Sequence, residues 1–180
     1  YWAGLDRNGA LAAQYRTHHC RARIRPWLPD KPLVDIDMIV PEDIGRFYAD
    51  WYRRLRAAGV DMVKVDGQSA LDLFTDGAEG GPLPRGGAMQ AYQEAFQGQG
   101  QASFPDGLLH CMCHSNDVLF RLFAGNACRN SDDYFPKRPR EVQQAHLRQN
   151  ACNALFMQNV AWPDWDMFQS GHPAGAYHAA

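Results

Sequence analysis

No apolar run in this chain approaches the ~18 residues of a membrane span, and no charged-then-apolar leader opens it. No transmembrane helix is therefore expected. The sequence has no Gly-x-Ser-x-Gly elbow, no phosphate-cradling glycine loop and no Gly-x-Gly-x-x-Gly after a strand. A serine-nucleophile hydrolase and a nucleotide-dependent enzyme each lack their motif. Nor is there an excess of one charge: the net charge is -2, with 21% of residues charged. Two short basic clusters, Arg16 to Arg25 and Lys137 to Arg140, are interrupted by prolines or apolar residues and read as solvated faces rather than a nucleic-acid surface. The five cysteines, an odd number, stand at 20, 111, 113, 128 and 152. A disulfide framework is not expected in a chain of this size; reduced thiols and a cytoplasmic setting are.

An initiator Met is also missing. The chain opens Tyr1-Trp2-Ala3-Gly4 and closes within an apparent helical stretch from His172-Pro173 to Ala180. Its 180 residues suit one domain, yet a closed β/α barrel usually needs about 250. The expectation is a single catalytic domain spanning 1–180 that is part of a longer barrel.

What is present is an alternation of strand and helix patterns. The clearest helix runs from Pro41 to Ala58. Pro41 suits its first turn, Glu42 and Asp43 suit the positive end of the helix dipole, and Gly59 supplies a stop. Ile44, Phe47, Tyr48, Trp51 and Leu55 recur at spacings of three and four, as an apolar stripe does. A strand is expected from Val60 to Asp66, then a Gly- and Pro-rich loop from Gly77 to Gly87 and a helix over Ala88 to Gln97. Further strands are expected at Leu108 to Cys113, Ala127 to Ser131 and Asn159 to Trp162, with helices at Asp117 to Phe123 and Pro139 to Gln158. There is no repeat of hairpin signals. This pattern predicts parallel β/α units, which a barrel and an open doubly wound sheet satisfy equally.

Three segments place carboxylates where a short apolar run gives way to a loop: Val63-Lys64-Val65-Asp66, Arg129-Asn130-Ser131-Asp132-Asp133-Tyr134-Phe135 and Trp162-Pro163-Asp164-Trp165-Asp166-Met167-Phe168. In a strand, Met62, Lys64 and Asp66 point to one side and the two valines to the other. A buried Lys–Asp pair is costly unless partnered, which suggests use; a structural ion pair at a strand end is the competing reading. Asp132 and Asp133 have their own bland reading as a turn or helix cap beside Pro136. Two strand-end carboxylates together are more telling, because glycoside cleavage needs an ionised nucleophile and a proton donor. Trp2, Tyr134, Phe135, Trp162, Trp165 and Phe168 bracket these strand ends. They suit either stacking on sugar rings or plain core packing. His110-Cys111-Met112-Cys113-His114 tempts a zinc reading, but an extended strand turns its cysteines and histidines to opposite faces, and no second ligand pair follows. No metal and no cofactor is expected.

Taken in order, these motifs resemble the raffinose synthase, seed imbibition protein and alkaline α-galactosidase group of glycoside hydrolase family 36. The resemblance rests on Tyr1-Trp2-Ala3-Gly4, Val63-Lys64-Val65-Asp66, Cys111-Met112-Cys113-His114-Ser115-Asn116, Ser131-Asp132-Asp133-Tyr134-Phe135-Pro136, Pro163-Asp164-Trp165-Asp166-Met167-Phe168 and His172-Pro173-Ala174 to Tyr177-His178. It covers almost the whole chain. It implies an α/β fold, a (β/α)8 TIM barrel represented by about strands 3 to 7, and a retaining mechanism on α-galactosyl oligosaccharides. By that resemblance Asp66 is the nucleophile and Asp132 the acid/base, with Asp133 the runner-up. Lys64 hydrogen-bonds galactose, Cys111 lines the pocket, and Arg129, Trp165 and Asp166 are weaker candidates for positioning sugar.

Two positions depart from the family pattern. Gly67 stands where the Lys-Val-Asp-Val-Gln pattern has Val, and Cys113 stands where Ser is common. Carboxylates from early strands would be missing, so the isolated 180 residues are expected to be inactive. Hydrolysis and galactosyl transfer share both carboxylates and differ in whether water or a sugar accepts the galactosyl group; the loop Gly67 to Arg85 is the expected place of that choice. The reading leans to an α-galactosidase, with raffinose synthase-type transfer or a non-catalytic carbohydrate-binding chain as alternatives. The expected partner is an oligosaccharide, not nucleic acid or a membrane.

Overall fold

The computed structural model describes residues 4–22, 33–68, 85–111 and 126–166, the side chains of 85 and 86 excepted. The helix expected at 117–123, most of the loop expected at 77–87 and the stretch after Asp166 fall outside these residues. The chain forms two compact units, Tyr1–Gly125 and Asn126–Ala180. Among the described residues no helix is long and apolar enough to cross a membrane.

The first unit opens with an antiparallel hairpin of β1 (Thr17–Ala22) and β2 (Val34–Ile39), in register from Thr17↔Ile39 to Ala22↔Val34. It was not anticipated, because β1 is polar and eleven residues separate it from its partner. Within the described part of the basic cluster, Arg16 to Ala22, the exposed arginines are ion-paired. Arg21 reaches Asp35 at 3.4 Å, Arg16 pairs with Asp43 at 2.9 Å, and Asp37 is held by Arg7 and His19 at 2.9 Å each. The Arg7 hydrogen bond, helped by His19, pulls the Asp37 carboxyl down to about 2.

Helix α1 (Pro41–Ala57) follows, with Pro at its start, Glu42 and Asp43 in the first turn and Arg54 and Arg56 in the last. It ends as expected. Gly59 adopts φ +85, and the Val60 amide donates back to the Leu55 carbonyl at 3.0 Å, closing a Schellman turn. That turn delays the next strand, so β3 occupies only Val63–Val65. The buried stripe is Ile44, Phe47, Tyr48 and Tyr52; Trp51 lies outside it, half-exposed against the Phe47 ring.

Helix α2 (Arg85–Ser103) runs longer than expected, through both Gly98 and Gly100. Gly100 is needed for space: a Cβ there would stand 2.9 Å from Leu108 Cδ2. Tyr52 meets Phe104 edge-on at 5.4 Å, and Tyr48 meets Phe96 at 6.0 Å, so aromatic rings join α1 to α2. The Tyr92 hydroxyl donates to the Ile39 carbonyl at 2.6 Å. Strand β4 (Leu108–His110) returns parallel to β3, pairing Val63↔Leu108 and Val65↔His110. β3–α2–β4 is thus a parallel β/α unit.

The second unit repeats the plan. β5 (Ala127–Arg129), α3 (Arg140–Met157) and β6 (Trp162–Asp164) form another parallel unit, with Cys128↔Pro163 and Arg129↔Asp164 in register. The last strand begins three residues later than expected. The amides of Val160 and Ala161 still bond the Met157 carbonyl, so these residues finish the helix rather than start a strand.

Candidate active site

Every predicted site residue lies in, or within three residues after, a parallel strand. In the first unit, Lys64 is the middle residue of β3 and Asp66 follows its end. Val63 is buried and Val65 half-buried, while Lys64 and Asp66 are exposed. The two faces alternate as expected, but the pair is not buried, so the desolvation cost that argued for its use does not arise. Asp66 Oδ1 accepts the Gly67 amide at 2.7 Å, and Gln68 Nε2 donates to the Val65 carbonyl at 2.9 Å. Gly67 has φ +66, a conformation costly for a β-branched residue. The turn behind Asp66 therefore follows a path that the family's Val would resist.

The Cys111 amide donates to the Val65 carbonyl at 2.9 Å. This bond sets Cys111 beside Asp66 at adjacent strand ends, with its side chain fully buried. His110 is also buried, edge-on to Phe96 at 5.0 Å, and burial pushes its imidazole down to about 4. Cys113, His114, Trp2, Phe168 and the loop beyond Gln68 fall outside the described residues.

In the second unit, Arg129 ends β5 and anchors the loop that carries both aspartates. Its Nε donates to the Ser131 carbonyl at 2.9 Å, its Nη2 to Asp133 Oδ1 at 2.5 Å, and its Nη1 stands 3.2 Å from Asp166 Oδ1. The Arg129 and Asp166 side chains are 3% and 0% exposed, so both point into protein. Asp166 also accepts the Tyr134 amide on Oδ2 at 2.8 Å and adopts φ +61. Asp132 is exposed; its amide donates to Gln149 Oε1 at 3.3 Å. Asp133 is the carboxylate of the pair that Arg129 holds.

A set of residues that sequence reasoning did not single out supports this loop from α3. Gln143 Nε2 donates to the carbonyls of Pro136 and Arg138 at 3.0 and 2.8 Å. Ser131 Oγ and His146 Nε2 are 3.0 Å apart, and Asn153 Nδ2 donates to the Asn130 carbonyl at 2.6 Å. Asn130 Nδ2 in turn donates to the Asn150 carbonyl at 3.1 Å. Residues 143, 146, 149, 150 and 153 share one helix face by their spacing of three and four. The signal was available as a stripe of amide and imidazole side chains, where a search for apolar stripes sees nothing.

Of the bracketing aromatics, Tyr134 is core, with its hydroxyl 3.4 Å from Gln143 Oε1. Phe135, Trp162 and Trp165 remain exposed. Chemically, each unit offers a carboxylate at a strand end, one next to a lysine and one on a braced loop.

The chain matches the family model described as raffinose synthase or seed imbibition protein Sip1 over residues 21–180. It is 36% identical over 146 residues to the probable galactinol–sucrose galactosyltransferase 1 of Arabidopsis thaliana, covering 81% of this chain and 19% of that protein. It is 34% identical over 149 residues to the probable galactinol–sucrose galactosyltransferase 6 of the same plant, covering 82% and 19%. A galactinol–sucrose galactosyltransferase of Pisum sativum is 33% identical over 152 residues, covering 79% and 18%. The chain thus spans about a fifth of the length of these relatives. With the family model matching well over half of its residues, the chain belongs to the raffinose synthase and seed imbibition protein family.

Proposed function

We propose that this chain is the site-bearing part of a (β/α)8 galactosyltransferase that moves an α-galactosyl group from a galactinol-type donor to a sugar acceptor such as sucrose. Transfer replaces hydrolysis as the preferred reading, because the similar proteins are named for galactosyl transfer. Asp66 attacks the anomeric carbon and forms a galactosyl-enzyme; the Asp132 carboxyl protonates the leaving oxygen, then takes the proton from the acceptor hydroxyl. Lys64 borders the galactose subsite, Cys111 packs behind it with a buried side chain, and Trp165 offers an exposed ring for stacking. A cytoplasmic setting is part of the proposal. The observation that carries it is that both aspartates follow parallel strands within a family match covering residues 21–180.

One observation favours a second assignment of the acid. Arg129 fixes the Asp133 carboxylate at 2.5 Å, so Asp133 is the carboxylate of the pair held in place, whereas among the described residues no cation pairs with Asp132. One set of assays addresses both points. The full-length protein, given galactinol and sucrose, is expected to form trisaccharide faster than free galactose. Asp132→Asn is expected to lose at least about 100-fold on galactinol, and far less on an aryl galactoside whose leaving group needs no acid. Release of galactose alone would return the reading to hydrolysis, and the same selective loss in Asp133→Asn instead would move the acid role there.

A further inference from the structure

We infer that Asp166 and Arg129, together with the polar face of α3, act as a positioning cradle for the acid-bearing loop rather than as sugar contacts. This rests on the glycoside-transfer reading given above. A residue that hydrogen-bonds a sugar must present a polar atom to the open site. The Asp166 side chain is instead wholly enclosed, and that of Arg129 nearly so. Their polar atoms are engaged with the loop itself: Arg129 with the Ser131 carbonyl and Asp133, Asp166 with the Tyr134 amide and Arg129. The two residues thus grip the loop on either side of Asp132, at 131 and at 133–134.

Asp166 adopts φ +61, a left-handed backbone that non-glycine residues adopt at a cost. The conformation turns the chain after β6 (Trp162–Asp164) so that Asp166 reaches back to the end of β5. Removing the carboxylate would leave a buried guanidinium with one partner fewer. From the other side, α3 holds Asn130 through Asn150 and Asn153, Ser131 through His146, and the Asp132 amide through Gln149. Asp132 contributes only its backbone to this network, and its carboxylate projects from a segment fixed at 130, 131, 133 and 134. General acid catalysis depends on such fixed placement, since the proton donor must lie within hydrogen-bond reach of the leaving oxygen.

The test separates positioning from sugar contact and from mere folding. Asp166→Asn keeps the shape and the acceptor for the Tyr134 amide but removes the charge facing Arg129. Gln149→Ala removes the support of the Asp132 amide from an exposed position, where folding should survive. Both are made in the full-length protein and assayed on galactinol and on an activated aryl galactoside. Positioning predicts a selective loss on galactinol, about 10- to 100-fold for Asp166→Asn and about 3- to 10-fold for Gln149→Ala. KM and the activated substrate should change less than about 3-fold. Equal losses on both substrates with a raised KM would make these residues sugar contacts, and equal losses tracking a lowered Tm would make them structural; either overturns the cradle. A folded wild-type protein that turns over neither substrate would instead overturn the underlying transfer reading, and the cradle with it.

Discussion

His110 shows how a single side chain here couples position to pH. It is the last residue of β4, fully buried, directly before Cys111 and in line with Val65 of β3. Burial lowers its imidazole from the ordinary 6.5 to about 4. The unfolded chain therefore takes up a proton near pH 6.5, whereas the folded chain does so only near pH 4. His110 leaves stability untouched above about pH 6.5 and erodes it as the pH falls from there towards 4. The full loss is on the order of 3 kcal/mol. Denaturant unfolding between pH 7.5 and 4.5 should show a steeper decline for the wild type than for His110→Leu; parallel declines would mean the imidazole titrates normally. The same scale bears on Arg129 and Asp166. Their types and strand-end positions suit sugar binding, and only packing reveals that their polar atoms turn inward.

At the scale of elements, the β/α units were legible wherever one physical signal dominated. Helix α1 carried an N-terminal proline, paired acids, an apolar stripe and a glycine stop, and its limits were read to within a residue. The hairpin β1–β2 was not read, because β1 is polar and matched to its partner by cross-strand charges, although β2 itself alternates apolar and acidic residues from Val34 to Met38. The start of β6 was misread since the residues after Met157 look like a strand by composition but complete a helix by hydrogen bonding. Glycines at element junctions record close approaches that no periodicity reveals. A Cβ on Gly107 would stand 2.5 Å from the Asp61 carbonyl oxygen and 2.9 Å from Met62 Cα, both rigid backbone leading into β3. Gly107→Ala must therefore push β4 away from β3 and the Asp66 turn. It is expected to cost about 2 kcal/mol or more in chemical unfolding, in the range of overpacked sites. A change under 0.5 kcal/mol would show that this junction yields more readily than its contacts imply.

At the scale of the whole molecule, the proposed nucleophile Asp66 follows β3 in the first unit and the proposed acid Asp132 lies on the braced loop after β5 in the second. The family was legible because six separated motifs arrive in its order along the chain. The bracing was not, because it is made by amides and an internal ion pair whose types recur on any polar helix face. The chain spans about a fifth of the length of the relatives it matches, so barrel closure and the choice between water and a sugar acceptor stay part of the proposal. The most direct measurement is covalent trapping. Full-length protein is treated with a galactose-configured mechanism-based inhibitor, digested, and the labelled peptide is sequenced by mass spectrometry. One galactosyl adduct is expected, on Asp66. An adduct on a different residue, or none on folded and active protein, would contradict it.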